Sequence, residues 1–328
     1  MSAPRVPPSA PPAEAKDAGR FEESIGSLLD RVAGHPGDAE IRRQLGDALF
    51  RAGRPTEAAA AFVEAVRRDR SCAGAHAGLA KIFDERGDVA AAQAAYQQAI
   101  RYAPDNAFAL SRLGQILTMF RVGEAEIYLR RALELEPADL EAARHLGYVL
   151  RRLNRVEEAR DVARGILARH PGDLQAELVL RLALSPVPPS KEAMAAERRR
   201  FSRGVKELAG DADRFTGDPS QWLSLKWENF ILAYQGEDDR PLQEAFAGFL
   251  TATGKRCAPR YFAPLPKRSL APGERIRVGF LSGFLYDCTV GKYFRSWITD
   301  LDRSRFVTLS RYLLKRVGEG PMTDVVKQ

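Results

Sequence analysis

The chain is predicted to be mainly α: a right-handed superhelix of stacked helix pairs, then a helical linker, then a partial α/β, Rossmann-like lobe. Three observations carry that prediction. The pair Leu45-Gly46 returns 34 residues later as Leu79-Ala80, 34 later again as Leu113-Gly114, and 33 later as Leu146-Gly147. Behind the pairs come matching sets: Ala58, Phe62, Ala65; Ala92, Tyr96, Ala99, Pro104; Ala125, Leu129, Ala132, Pro137; and Ala159, Ala163, Ile166, Pro171. At Ala271-Pro272-Gly273-Glu274 the pattern changes, and two runs rich in branched and aromatic residues follow, Ile276 to Ser282 and Phe306 to Leu314.

The repeat explains the first of these. A small residue, a large apolar residue and a closing proline at this period form the signature of the tetratricopeptide repeat (TPR), here over residues 38 to 172. Each unit is a pair of antiparallel helices whose backbones approach closely across the small residues. The large residue, Phe62 or Tyr96, fills the groove with the next unit, so the core exists only through stacking. The proline cannot continue a helix and turns the chain into the next repeat. Repeat three is one residue short, with Arg121-Val122-Gly123-Glu124 read as a tightened turn.

The remaining elements follow in order. Residues 1–20 are Pro/Ala-rich, lack the apolar centre of a signal peptide, and read as a disordered tail. A helix from Phe21 to Val32 caps the array, since a solenoid end must be covered. Another helix runs from Leu174 to Leu184, and Pro186-Val187-Pro188-Pro189 ends the array, which thus spans 21–186 with about four repeats plus capping helices. Ser190 is placed to cap the first helix of a linker over 187–270. Helix is expected again over 220–252, broken near Gln235-Gly236, with Trp222, Trp227, Phe230, Tyr234, Phe246 and Phe249 as its buried face. Residues 271–328 then read strand, helix, strand, a parallel unit with Trp297 packed under the linker helices.

Composition excludes several classes. No apolar stretch approaches the roughly 18 residues needed to span a bilayer, so no membrane partner is expected. The net charge of +7 is spread along the chain. Its densest run, Arg198-Arg199-Arg200 with Arg203 and Lys206, lies beside Glu197 and Glu207 and reads as a solvated helix face, not a nucleic-acid footprint. Likewise Glu237-Asp238-Asp239 reads as a solvated turn and not a metal site. Cys72, Cys257 and Cys288 are far apart, with no metal-ligand spacing, which fits a reducing cytoplasm. His76 and His145 stand apart from any carboxylate or cysteine cluster.

One family resemblance adds a function. Arg277-Val278-Gly279-Phe280-Leu281-Ser282, then Thr289-Val290-Gly291-Lys292-Tyr293-Phe294, then Leu301-Asp302-Arg303-Ser304-Arg305-Phe306, following TPR repeats, resembles the bacterial relatives of O-linked N-acetylglucosamine (O-GlcNAc) transferase and SPINDLY. Asn229 to Gly236 and Asp239 to Glu244 resemble the helical linker of some bacterial members. The resemblance implies that 271–328 opens the N-terminal lobe of a two-lobed GT-B glycosyltransferase, truncated here. It also implies that the repeats recruit protein acceptors for glycosylation.

Two departures from the family bear on chemistry. Cys288 stands where members carry a His assigned a catalytic or substrate-contacting role, and a thiol titrates near 8.5 where imidazole titrates near about 6.5. Phe284 replaces the acidic residue often found upstream. The lobe that would hold the donor phosphates is absent from the sequence, with no Gly-rich phosphate loop and no metal motif. No cofactor is therefore expected, UDP-GlcNAc serving as donor only with a complete catalytic region, and the chain is expected to be inactive alone. No catalytic residue is assigned, and Cys288 reads as a small turn residue. Lys292 and Arg295 read as a solvated face.

The binding site predicted from the repeats is the concave face, lined by the first helix of each unit. It places Arg43, Asp47, Lys81, Arg112, Gln115, Arg144 and Tyr148 along a groove for an extended protein or peptide partner. The eukaryotic enzyme uses a ladder of asparagines before the leucine-glycine pair, but Gln44, Gly78, Arg112 and His145 occupy those positions here. Two functions are thus open: the front half of an O-GlcNAc transferase-like enzyme, or a non-enzymatic TPR adaptor.

Overall fold

The computed structural model describes residues 14–215, 217–223, 225, 227, 229–264, 269–282 and 296–312. Helix α1 (Glu14–Gly34) begins seven residues before the expected Phe21. The last proline before it is Pro12, and from Ala13 the chain is rich in helix formers. Ile25 and Leu28 are buried against Ile41, Leu45 and Leu49 of the next helix. Leu28 lies 34 residues before Phe62, so α1 is the second helix of a half-repeat and closes the end of the array.

Four helix pairs follow: α2 (Ala39–Arg51) with α3 (Pro55–Arg68), α4 (Ala73–Glu85) with α5 (Val89–Tyr102), α6 (Ala107–Leu117) with α7 (Val122–Leu135), and α8 (Leu140–Arg152) with α9 (Val156–Arg169). A last first-type helix, α10 (Leu174–Leu182), completes the set. First helices start on side-chain caps at one repeat position. Asp38, Asn106, Asp139 and Asp173 accept from backbone N–H groups of the first turn, while Cys72 holds the same position without a cap bond. Within three repeats the turn between helices uses a left-handed residue, Gly53, Gly87 or Asn154.

Repeat three lacks that residue, and its turn lies earlier than the sequence suggests. Helix α6 ends at Leu117 and α7 starts at Val122, so residues 118–121 make the turn and Gly123 is already helical. The omitted left-handed residue is the one missing from the period. Arg152 of the next repeat secures this turn by donating to the carbonyls of Thr118 and Met119 (2.6 and 3.0 Å).

Each large residue is buried as its repeat position requires: Leu28, Phe62, Tyr96, Leu129 and Ala163 are 8%, 1%, 0%, 0% and 2% exposed. The Phe62 ring lies against Gly46 in its own repeat and Gly78 in the next, where an added Cβ would fall inside the ring's van der Waals envelope. A Cβ on Gly147 would meet only Val162 Cγ1 at 4.0 Å. The two glycines should therefore respond oppositely to alanine. Gly78→Ala is expected to destabilise by about 1–3 kcal/mol through overpacking, and Gly147→Ala to stabilise by about 0.5–1 kcal/mol through helix propensity. Urea midpoints of the two variants check this, and equal shifts would show that Phe62 does not set the spacing.

Ion pairs also cross between repeats. Glu126 of α7 accepts from Arg130 of its own helix (2.7 Å) and from Arg155 at the start of α9 (2.6 Å). Burial pushes the Glu126 carboxyl up, but the hydrogen bonds from the two arginines outweigh it and hold the group below its ordinary value of 4.5. A depressed carboxylate contributes stability that is present above its unfolded value and lost as pH falls through its folded one. Thermal stability should thus stay flat down to about pH 4.5 and decline below it, less steeply in Glu126→Gln. Parallel profiles for the two proteins would remove Glu126 from this role.

The linker begins at α11 (Lys191–Gly210), whose cap is Ser190 as expected, accepting from Ala193 N at 3.1 Å. Its continuation is less helical than predicted. Described helix over 219–257 is confined to α12 (Pro219–Leu223), one 3-10 turn (Phe230–Tyr234) and α13 (Arg240–Cys257). Gly236 takes φ 70°, the break expected near that position. Phe246 and Phe249 are buried with Phe201, Val205, Leu208 and Phe215 on one side of α10. Phe230 and Tyr234 are not part of that face: they are 63% and 75% exposed and stack edge-on at 5.2 Å. The tightness of a 3-10 turn sends both rings outward.

The basic run is a solvated face at Arg199, Arg203 and Lys206 but not at Arg198 and Arg200. Arg198 reaches inward, donating to Gln235 Oε1 (2.9 Å), Asp239 Oδ1 (2.7 Å) and the Asp238 carbonyl (3.0 Å). The acidic turn at 237–239 therefore serves as the anchor of α11, since helical spacing turns Arg198 and Arg200 toward opposite neighbours while Arg199 and Arg203 stay exposed.

Residues 263–328 form a second compact unit. Strands β1 (Ile276–Ser282) and β2 (Phe306–Tyr312) pair in parallel, from Ile276↔Phe306 to Ser282↔Tyr312. These are the two parallel strands the branched runs predict. Trp297 is 63% exposed, and the buried residue of its segment is the neighbouring Ile298 at 3%. Cys288, Phe284, Lys292 and Arg295 lie outside the described residues.

Candidate protein-binding groove

Helices α2, α4, α6, α8 and α10 form the inner layer of the array. Successive members meet along α2/α4, α6/α8 and α8/α10, whereas the second helices pack chiefly against first helices. Closer approach on one side is what curvature of a solenoid requires, and it puts the first helices on the inside of the bend. The seven residues predicted for the groove stand one or two positions before, or two after, the repeat leucine. All seven are half-buried.

The arginines among them are held by neighbouring carboxylates. Arg43 donates to Glu40 Oε1 at 2.5 Å and to Asp47, while its stem lies over Gly74 of the next repeat. The hydrogen bond from Arg43 holds the Glu40 carboxyl below its ordinary range against the opposing effect of burial. Arg112 pairs with Asp84 of the preceding repeat (Nε to Oδ2, 3.1 Å) and donates to Gln115 Oε1 (2.8 Å). Gln115 in turn donates to Ser111 Oγ at 3.0 Å. Arg144 pairs with Asp173 of the following repeat (3.0 Å) and with Glu141 (2.5 Å).

The other two residues meet aromatic surfaces. Lys81 Nζ is 4.3 Å from the centroid of Phe108, a cation–π contact, and Phe108 is 41% exposed. Tyr148 lies under the Arg152 guanidinium at 5.8 Å. Behind this surface Tyr96 is wholly buried, with Phe108 edge-on at 6.1 Å. Burial, with Asp84 adding and Arg112 opposing, pushes the Tyr96 hydroxyl up to about 12.

Sequence reasoning missed Asp84, Glu141, Asp173 and Phe108. A signal existed: Arg112 and Asp84 are 28 residues apart and Arg144 and Asp173 are 29 apart, so opposite charges recur one repeat away. The asparagine ladder is absent here, as read from sequence. Gly78 is occupied in packing Phe62, and Arg112 in its pair with Asp84. Arg43, Arg112 and Arg144 are matched by acids, whereas Lys81 lies over the Phe108 ring.

Elsewhere the described residues show little ready chemistry. No group of three or more His, Cys, Asp or Glu is placed to hold a metal among them. Cys257 donates to the Phe215 carbonyl at 3.1 Å, and burial pushes its thiol up. His76 stacks on Tyr102 at 5.6 Å. No helix among the described residues is long and apolar enough to cross a membrane.

The family model for the tetratricopeptide repeat matches residues 14–76, 77–120 and 121–173. This stretch, including α1, is an array of such repeats. Among solved structures, the chain is similar to YrrB, described as a TPR protein with an unusual peptide-binding site, at 20% identity and a TM-score of 0.49 over 56% of this chain and 92% of that one. MamA matches at 21% identity and a TM-score of 0.42 over 48% and 93%. A mutant O-GlcNAc transferase from Thermobaculum terrenum matches at 22% identity and a TM-score of 0.48, over 79% of this chain and 40% of that one. No curated protein sequence matches the chain.

Proposed function

We propose that the array binds an extended segment of a partner protein along its inner face, with Lys81, Phe108, Gln115 and Tyr148 making direct contact. The observation that carries this reading is the contrast along the groove. Arg43, Arg112 and Arg144 are committed to intramolecular carboxylates, while Lys81 and the Phe108 and Tyr148 rings stand outside those pairs. A surface held rigid by its own ion pairs loses little side-chain entropy on binding, which favours a peptide of mixed polarity.

A photo-crosslinking residue placed at 81 or 148 should capture one protein, and the same residue at the outward, 73% exposed Arg67 should not. Equal capture from all three sites would remove the groove from the account.

A second reading is favoured by the parallel pairing of β1 with β2 in the segment that carries the O-GlcNAc transferase-like residues. On this reading 271–328 is the start of a Rossmann-like glycosyltransferase lobe, and the captured protein is a glycosylation acceptor. The supporting fact is the order of elements, repeats, linker and parallel strands, together with the motif at 277–282. The chain as given is expected to transfer no sugar, because fixed donors aimed at the departing diphosphate are needed for that step. Incubation with radiolabelled UDP-GlcNAc and a lysate checks it. Label transfer above a repeat-only control would show that the residues here suffice for catalysis.

A further inference from the structure

Helices α9, α10 and α11 line an open cleft of about 390 Å³. Its lining includes five arginines, Arg160 and Arg164 from α9, Arg181 from α10, and Arg200 and Arg203 from α11, with Glu207 as its one carboxylate. The helices come this close because Gly204 abuts the backbone of Arg181, where an added Cβ would lie 3.0 Å from the carbonyl oxygen.

Most of these cations have a dedicated counter-charge. Arg160 pairs with Glu157 at 2.6 Å and donates to the Leu180 carbonyl, Arg164 pairs with Asp161, and Arg181 pairs with Glu177 at 2.8 Å and with Glu207. Arg203 reaches Glu207 only at 3.8 Å and is 72% exposed.

Arg200 differs. Its side chain is 17% exposed, it donates one hydrogen bond to the Ala183 carbonyl, and its Nε is buried with no hydrogen-bond partner. The nearest carboxylate, Glu157, is 3.6 Å away and already held by Arg160. Burial first, and the like charge of Arg160 second, push the Arg200 guanidinium below its ordinary range against the opposing charges of Glu197 and Glu157. A half-buried cation whose carboxylate neighbours are held by other groups is costly. Guanidinium forks match the oxygens of a phosphate group in charge and geometry.

We propose that this cleft binds the phosphate group of a small soluble molecule, with Arg200 as its inner contact and Arg164 and Arg203 closing over it from the rim. A phosphate oxygen would place a counter-charge beside Arg200 and would offset the like charges of Arg160 and Arg200. The site is distinct from the inner-face groove and is independent of what that groove binds.

The test uses the full chain, with pyrophosphate as the probe and thermal shift and calorimetry at constant ionic strength. Pyrophosphate is expected to raise the melting temperature saturably with a submillimolar dissociation constant. In Arg164→Ala/Arg203→Ala, whose rim side chains are exposed and not needed for folding, binding should weaken by about tenfold or more. A control pair at Arg67 and Arg240, 73% and 82% exposed elsewhere, should bind as the parent does. Arg200→Gln should abolish the shift, and circular dichroism separates this from unfolding. No saturable shift by about 10 mM pyrophosphate, a shift that follows ionic strength alone, or equal weakening in the control pair would overturn the proposal. Binding of a phosphoserine peptide without binding of pyrophosphate would also overturn it.

Discussion

Phe62→Ala is expected to lower the stability of the chain by about 3–5 kcal/mol, the cost of a cavity at a site that cannot collapse. The ring is 1% exposed and lies between helix α2 and helix α4, seated against Gly46 and Gly78. Glycine at those positions allows two backbones to close on one ring, so removing the ring leaves space that neither backbone can fill without breaking its helix. The loss should also be directional. Phe62 joins the first repeat to the second, so hydrogen exchange should quicken through α1, α2 and α3 before it changes in α8 and α9. A uniform loss of protection would mean that the array unfolds as one body and not by nearest-neighbour stacking.

Asp173→Ala should cost a similar amount, about 3–5 kcal/mol, because it breaks a buried ion pair by removing one partner. The Asp173 side chain is 1% exposed. One oxygen caps α10 through the Ala176 N–H at 2.8 Å, and the other holds Arg144 of the preceding repeat. Asp173→Asn keeps a good cap and removes the charge, so its cost should be smaller, about 1–2 kcal/mol. Since α10 also carries one side of the linker core through Leu174, Leu178 and Leu182, the alanine variant should loosen α11 and α13 as well. Urea unfolding followed by tryptophan fluorescence reads this directly, because Trp227 packs against both cores. Equal costs for the two substitutions would indicate that the charge on Asp173 has no role.

The repeats were legible in the sequence because their period is imposed by packing. Phe62, Tyr96 and Leu129 recur where only a neighbouring unit can bury them, and each is buried. The turn of repeat three was misplaced because a one-residue deletion shows where the period slips but not which residue is lost. That residue was the left-handed one, which Gly123 superficially offers. The linker was harder to read, since Phe230 and Tyr234 have an apolar spacing that suits a helix but occupy a short turn whose rings face outward. The seven residues expected at the groove lie on the first helices of their repeats, yet their partners were not visible. Arg112 with Asp84 and Arg144 with Asp173 are pairs across repeats, and a reading made one helix at a time does not join them. The same limit hid Arg198 and Arg200, a single basic run in sequence whose members serve two different interfaces.

The measurement that bears most directly on the central claim is hydrogen exchange of the full chain with and without the protein captured from position 81 or 148. Binding along the inner face predicts slower exchange in α4, α6 and α8, with α5, α7 and α9 unchanged. Protection confined to the second helices, or to residues 263–328, would contradict it.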